Sequence, residues 1–235
     1  SANFNVTIVE PEPVIVEPII EEPIVIPIEE LIEELLVRAT AIKTDFLSSV
    51  RLDARRDLAG VIDKEFYFEE PEKWFIPKFE NYIGLYIEQL YGYMKNPFKN
   101  IPATTEVAKA AVKLGNVKEY AVRWDLYSLW VNFQGPKEYN PPHNHGGHLS
   151  FVIYLQIPKE IGEERNEYHR WKPGEISFSH SLDEKSFNIG KYNCSPERGD
   201  VLIFPAWLMH HVFAFNSDVE RISVSGNISL EITER

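Results

Sequence analysis

Cysteine is all but missing from this chain: Cys194 stands alone among 235 residues. A lone thiol excludes an internal disulfide framework and any zinc site built from several cysteines, and it fits a reducing compartment. Basic residues are missing from the first 37 positions, which hold nine glutamates and no Lys or Arg, so most of the net charge of -12 belongs to that stretch. The remainder is nearly balanced. Without a basic face to displace counterions, general attachment to nucleic acid is disfavoured, which leaves only an RNA read by a small local patch. No apolar run approaches the roughly 20 residues needed to span a bilayer, and the amino terminus lacks the basic-then-apolar order of a secretion signal. The expectation is a soluble protein of the cytoplasm with no membrane partner. What is present, 44% hydrophobic and 13% aromatic residues, suffices for one substantial core and one catalytic domain.

Glycine is absent from the opening stretch, while proline recurs at Pro11, Pro13, Pro18, Pro23 and Pro27 among Glu, Val and Ile. Proline at that density forbids a regular helix and removes ladder donors, so residues 1–29 read as a stiff, extended arm. The arm is a solvated tether or a segment docked on its own or another subunit, and the second option makes it a route to oligomers. From Glu29 the pattern becomes helical, with Leu31, Ile32, Leu35, Leu36, Ala39 and Ile42 on one stripe. Further helical stretches are expected over Pro77 to Lys95 and Thr104 to Leu114.

Beyond Tyr120 the period is two. Tyr127, Leu129, Val131 and Phe133 face one way, with Ser128, Trp130 and Asn132 opposite. Similar runs at Leu149 to Ile157, Glu175 to Phe178, Val201 to Phe204, Val212 to Phe215 and Arg221 to Leu230 are separated by Gly, Pro, Asn and Asp turns. Helices followed by strands predict an α+β chain: a helical support region at 30–119, then a strand-rich core at 120–235.

Within that core, His143 and His145 lie two apart, so on an extended segment both imidazoles reach the same side. By itself His-x-His describes loop histidines as readily as metal ligands, and His148 competes. His210 ends the run Gly199-Asp-Val-Leu-Ile-Phe-Pro-Ala-Trp-Leu-Met-His210, which delivers a third imidazole from another strand. His211 is its rival, since only one of two consecutive residues on a strand faces inward. His169 and His180 read as polar loop residues. Arg221 and Ser223 share a strand face with Ser225 and Asn227, opposite Ile222, Val224 and Ile228. A buried arginine requires an anion, and its planar fork suits a carboxylate, with the Ser223 hydroxyl beside it. A structural ion pair with Glu220 or Asp218 is the plainer alternative. Together these residues suggest a mononuclear metal site beside a carboxylate seat.

The motifs Trp130-Val-Asn132, Pro142-His-Asn-His145, Leu149-Ser-Phe-Val-Ile-Tyr154-Leu, Gly199-Asp-Val-Leu-Ile-Phe-Pro205, Trp207-Leu-Met-His210 and Glu220-Arg-Ile-Ser-Val-Ser-Gly-Asn227 occur in that order. Over about residues 125–230 the chain resembles the iron(II)- and 2-oxoglutarate-dependent oxygenases, in particular those common in marine phages and bacteria and distantly related to prolyl hydroxylases. The resemblance implies a double-stranded β-helix, or jelly roll, with Fe(II) in its mouth, 2-oxoglutarate as co-substrate and O2 as oxidant. It implies His143 and His210 as metal ligands, Arg221 with Ser223 as the clamp on the far carboxylate, and Tyr154 and Asn132 as further co-substrate contacts. Trp130, Trp207 and Phe151 are candidates for the substrate pocket. His145 stands where most of the superfamily has Asp or Glu, so a third neutral ligand is expected in place of a carboxylate. The implied activity is hydroxylation, with a peptide or protein side chain as the first substrate guess and the host cytoplasm as the location if phage-encoded. The alternatives are a cupin-like three-histidine metal enzyme that does not use 2-oxoglutarate, and a non-enzymatic jelly-roll binding or assembly module.

Overall fold

The computed structural model describes residues 28–93, 120–164, 172–181 and 189–234. The arm, but for its last two residues, the helix expected over Thr104 to Leu114 and His169 lie outside the described residues. Helix α1 (Ile28–Thr44) buries Leu31, Ile32, Leu35 and Ala39, the stripe its spacing requires. It gives way at Asp45, whose carboxylate accepts the Ser48 N–H (2.8 Å) and caps α2 (Phe46–Arg51). After strand β1 (Glu65–Tyr67) come α3 (Pro71–Trp74) and α4 (Ile76–Tyr93).

The remaining strands are β2 (Tyr120–Gln134), β3 (Asn140–His143), β4 (Leu149–Gln156), β5 (Ile176–Ser181), β6 (Ile189–Cys194), β7 (Val201–Pro205), β8 (Met209–Val212) and β9 (Arg221–Glu234). A short helix α5 (Lys159–Glu163) follows β4. One sheet runs β1-β2-β9-β4-β7 and the other β3-β8-β5-β6, with antiparallel pairing throughout. From β3 onward the chain passes repeatedly from one sheet to the other, which makes the two-sheet jelly roll with helices on its outer side.

The larger sheet is covered on both faces. Its outer face presents Leu129, Val131, Phe133, Phe151, Ile153, Ile222 and Val224 to the buried faces of α1 and α4. Phe151 lies against Phe75 and Phe79 at ring-centroid distances of 5.7 and 4.6 Å. Its inner face joins Val152 and Tyr154 to Ile176, Phe178, Phe204 and Val212. Strand β4 is therefore apolar almost throughout rather than alternating. The register sets Glu65, Asn132, Ser223 and Tyr154 opposite one another in a single row across four strands. Among the described helices none is long and apolar enough to cross a membrane.

Several expectations need correction. The helices do not all precede the strands, because β1 lies between α2 and α3, and α5 follows β4. A register shift between Leu126 and Ser128 breaks the alternation of β2, so Tyr127 is 69% exposed while Leu126 packs on the core that Leu129 joins. The strand expected over Val212 to Phe215 instead covers Met209–Val212, and β6 had not been expected.

Gly226 shows how tightly the outer face is fitted. A Cβ there would lie 2.4 Å from the Phe151 ring and 2.8 Å from the Ser128 carbonyl oxygen. Gly226→Ala is expected to destabilise the protein by about 1–3 kcal/mol through overpacking, seen as a lower urea midpoint with an unchanged slope.

Candidate metal centre

Three imidazoles converge where the two sheets meet. His143 ends β3 and is the register partner of His210 on β8. His145 lies just beyond β3; its backbone N–H donates to the Ala206 carbonyl (2.9 Å), and the Ala206 N–H donates to the His148 carbonyl (3.0 Å). Between them Gly147 takes φ +87°, where a Cβ would meet the Ile228 carbonyl oxygen at 2.9 Å. The His-x-His segment is thus clamped to the turn that leads into His210.

The ring nitrogens lie close enough together to hold one ion. Nε2 of His145 and Nε2 of His210 are 3.2 Å apart, and one donor atom from each of the three rings lies within 4.8 Å of the others. His143 Nδ1 sits 2.6 Å from the Pro141 carbonyl and His210 Nδ1 2.9 Å from the Leu208 carbonyl. A carbonyl only accepts, so those Nδ1 atoms carry the protons and the Nε2 lone pairs face the cluster. Burial pushes His145 down to about 3 and His210 down to about 4, with neighbouring imidazoles adding to both shifts, and it also lowers His143. Neutral, converging imidazoles are what a transition metal requires. His211 turns away, its ring edge-on to Phe213 at 4.6 Å. His148 is exposed and its Nδ1 accepts the Leu230 N–H (3.0 Å), while His180 is exposed on β5.

A polar cavity extends from the histidines along the inner face of the larger sheet. Asn132, Tyr154, Arg221 and Ser223 all line it. Arg221 is only 3% exposed, and its Nη1 donates to Gln134 Oε1 (2.6 Å). Its Nε has no partner, and neither has the Tyr154 hydroxyl, although the guanidinium lies over the tyrosine ring at 5.0 Å. Burial pushes Tyr154 up to about 12 against the opposing pull of Arg221, and burial lowers the guanidinium from its ordinary value. Glu220, the plainer partner for Arg221, is engaged by Lys43 and Lys64. Among the described residues no carboxylate pairs with Arg221.

Trp130 lines the cavity with its ring 5.7 Å from His145, and its Nε1 donates to Asn132 Oδ1 (3.1 Å). The other two pocket candidates are placed differently. Phe151 borders the cavity, but its ring packs in the core against Phe75 and Phe79. Trp207 is 65% exposed and does not line the cavity. Residue reading missed two members of the wall, Gln134 and Glu65. Gln134 was within reach, since it continues the alternation of Trp130 and Asn132; Glu65 gave no signal in a three-residue strand.

Glu65 is 1% exposed and its Oε2 has no partner. Burial, then the charges of Glu138 and Asp53, push its carboxyl up to about 7. Because the folded value lies above the unfolded carboxylate range, its contribution to stability is whole below about 4.5 and is lost as pH rises through 7. In metal-free protein, the stability of Glu65→Gln relative to wild type is therefore expected to rise between pH 4.5 and 7 by up to ~3 kcal/mol and then level off, as read from urea midpoints.

Residues 128–227 match the family model described as "Putative 2OG-Fe(II) oxygenase". No curated protein matches the chain significantly. Among solved structures, the chain is similar to an oxidoreductase of the 2OG-Fe(II) oxygenase family from Burkholderia pseudomallei (18% identity, 49% of this chain and 47% of that one, TM-score 0.34). It is also similar to the viral collagen prolyl hydroxylase of Paramecium Bursaria Chlorella virus-1 (12%, 85% and 90%, 0.44) and to a prolyl-4-hydroxylase from Pseudomonas putida (13%, 84% and 85%, 0.37). The chain spans about half the length of the first of these. The stretch that carries the three histidines, Arg221 and most of both sheets is thus the part of the chain similar to the 2OG-Fe(II) oxygenase family.

Proposed function

We propose that the chain is an Fe(II)- and 2-oxoglutarate-dependent dioxygenase that hydroxylates a C–H bond of a second substrate. The observation that carries this reading is Arg221: a buried guanidinium with an unfilled Nε, beside an unpartnered tyrosine hydroxyl, in the cavity that the three histidines border. An unpaired buried charge is costly, and a dicarboxylate entering the cavity would remove that cost. His143, His145 and His210 would hold the metal, each through an unprotonated ring nitrogen. Arg221 and Ser223 would hold the far carboxylate of 2-oxoglutarate, with the Tyr154 hydroxyl donating to it. Gln134 fixes the guanidinium in place through Nη1, which leaves Nε for the ligand. Asn132, held by the Trp130 indole, is within 3.5 Å of Ser223 Oγ and presents its amide to the middle of the cavity.

Iron bound at the histidines supplies the activation of O2 by which 2-oxoglutarate is decarboxylated and a C–H bond oxidised. The balance is substrate C–H, O2 and 2-oxoglutarate to substrate C–OH, succinate and CO2. The likeness of the motifs to those of prolyl hydroxylases makes a peptide side chain the first substrate class to test. One observation favours a second reading: all three ligand candidates are imidazoles, as in a cupin-like metal enzyme whose Arg221 would bind the substrate itself.

Anaerobic addition of Fe(II) and then 2-oxoglutarate separates the two readings. A weak visible charge-transfer band that needs both components, followed by succinate release in air, is expected; neither signal would appear in the cupin-like case. Arg221→Ala is expected to weaken 2-oxoglutarate binding on the order of 100-fold while Fe(II) affinity changes only a few-fold, because the carboxylate seat alone is lost. Equal loss of both in calorimetric titrations would place Arg221 outside that seat. His145→Asp is expected to keep or tighten Fe(II) binding, measured against a fluorescent chelator, because a carboxylate replaces a neutral ligand.

A further inference from the structure

Arg221 and Glu65 are the two formally charged residues among the described residues that line the cavity. Glu65 stands at the β1 end of the row it shares with Asn132, Ser223 and Tyr154. Its side chain is closed in by the segment before β1. A Cβ on Gly60 would lie 2.5 Å from Glu65 Oε1 and 2.6 Å from Asn140 Oδ1, so the backbone passes directly over the carboxylate. The Val61 N–H, donating to the Tyr139 carbonyl (2.9 Å), ties that segment to the chain just ahead of β3. The carboxylate is therefore held inside, with Oε2 unpartnered.

The charges of the loaded site show what such a group is for. Three neutral imidazoles, a divalent metal, the 2-oxoglutarate dianion and Arg221 leave one positive charge in an enclosed space. A facial triad with a carboxylate ligand would cancel it; three histidines do not. We infer that Glu65 supplies from the cavity wall the negative charge that a carboxylate at position 145 would otherwise bring, acting on metal and co-substrate through the field rather than as a ligand. The inference rests on the reading of the cavity as a metal and 2-oxoglutarate site. Glu65 is not in the ligand cluster, and no cation among the described residues pairs with it. Burial and the like charges of Glu138 and Asp53 push against its ionised form while Arg55 favours it, and a cation entering the cavity would favour it further. Glu65 is a positioning residue in this scheme: it raises the affinity of the cavity for a cation and lowers it for a dianion.

Those two effects have opposite signs, which a packing role does not produce. In the full chain at pH 8, kept anaerobic, Mn(II) affinity and then 2-oxoglutarate affinity at saturating Mn(II) would be titrated for wild type, Glu65→Gln and Glu65→Asp. Glu65→Gln is expected to weaken Mn(II) binding by about tenfold and to tighten 2-oxoglutarate binding several-fold, the scale of one unit charge acting across a protein interior. Glu65→Asp, which keeps the charge, is expected to stay close to wild type in both. The inference is overturned if Glu65→Gln moves both affinities in the same direction or leaves them unchanged, or if Glu65→Asp matches Glu65→Gln. Wild-type protein that fails to bind 2-oxoglutarate in the presence of Mn(II) would instead overturn the reading of the cavity itself.

Discussion

A guanidinium buried without an anion is the constraint around which the rest of this structure is arranged. Arg221 has a side-chain carbonyl, a tyrosine ring and an unfilled Nε for company, and the nearest acid in the sequence, Glu220, is bound by lysines on the outside. Placing a charge there is tolerable only if the surrounding scaffold is too well packed to let it escape to solvent. The outer face of the same sheet provides that packing, where Ile222 and Val224, the next residues along β9, join the core beneath α1 and α4.

Strand β9 therefore carries two tasks on alternate residues. Arg221, Ser223 and Ser225 face the cavity, while Ile222, Val224 and Ile228 anchor the strand to the helices. Flanked by β2 and β4, it cannot slip by one residue without exchanging the two sets, so register and site chemistry are fixed together. The histidines are positioned differently, by backbone bonds between the His145–His148 segment and Ala206 rather than by burial of a neighbouring apolar face. Arg221 and Ser223 thus sit within the packed sheet, and the three histidines sit at its rim.

What could be read in advance follows from the same division. Alternation along β9 and the downstream part of β2 exposed Arg221, Ser223 and Asn132, because a period of two had one polar and one apolar face, and the apolar Gly199-to-Met209 run exposed His210 as the polar residue that ends it. Strand β4 has no such contrast: it is buried on both sides, so the face to which Phe151 belongs was not written in the local pattern. Tyr127 misled for the opposite reason, since a bulge changes the face without changing the composition. The boundaries of β8 were blurred by the unbroken run from Ala206 to Phe215. Glu65 was hidden by tertiary structure alone; three residues of strand carry no periodicity, and only pairing with β2 turns that carboxylate inward.

Glu65 and Arg221 are opposite charges in one cavity, and yet they form no ion pair. The amides of Asn132 and Gln134 stand on the intervening strand, the first opposite Glu65 and the second bonded to Arg221. Had the two charges met, their mutual attraction would have settled both and left the cavity with little preference for a metal or an anion. Held apart by neutral groups, each keeps an unsatisfied atom, Oε2 on one side and Nε on the other. The cost of that separation is carried by the fold, where burial and like charges raise the Glu65 carboxyl. On the proposed function, a cation among the imidazoles and a dianion beside the guanidinium would recover it. A third histidine in place of a carboxylate fits this scheme, because the negative charge need not touch the metal to be felt by it in an enclosed site of low dielectric.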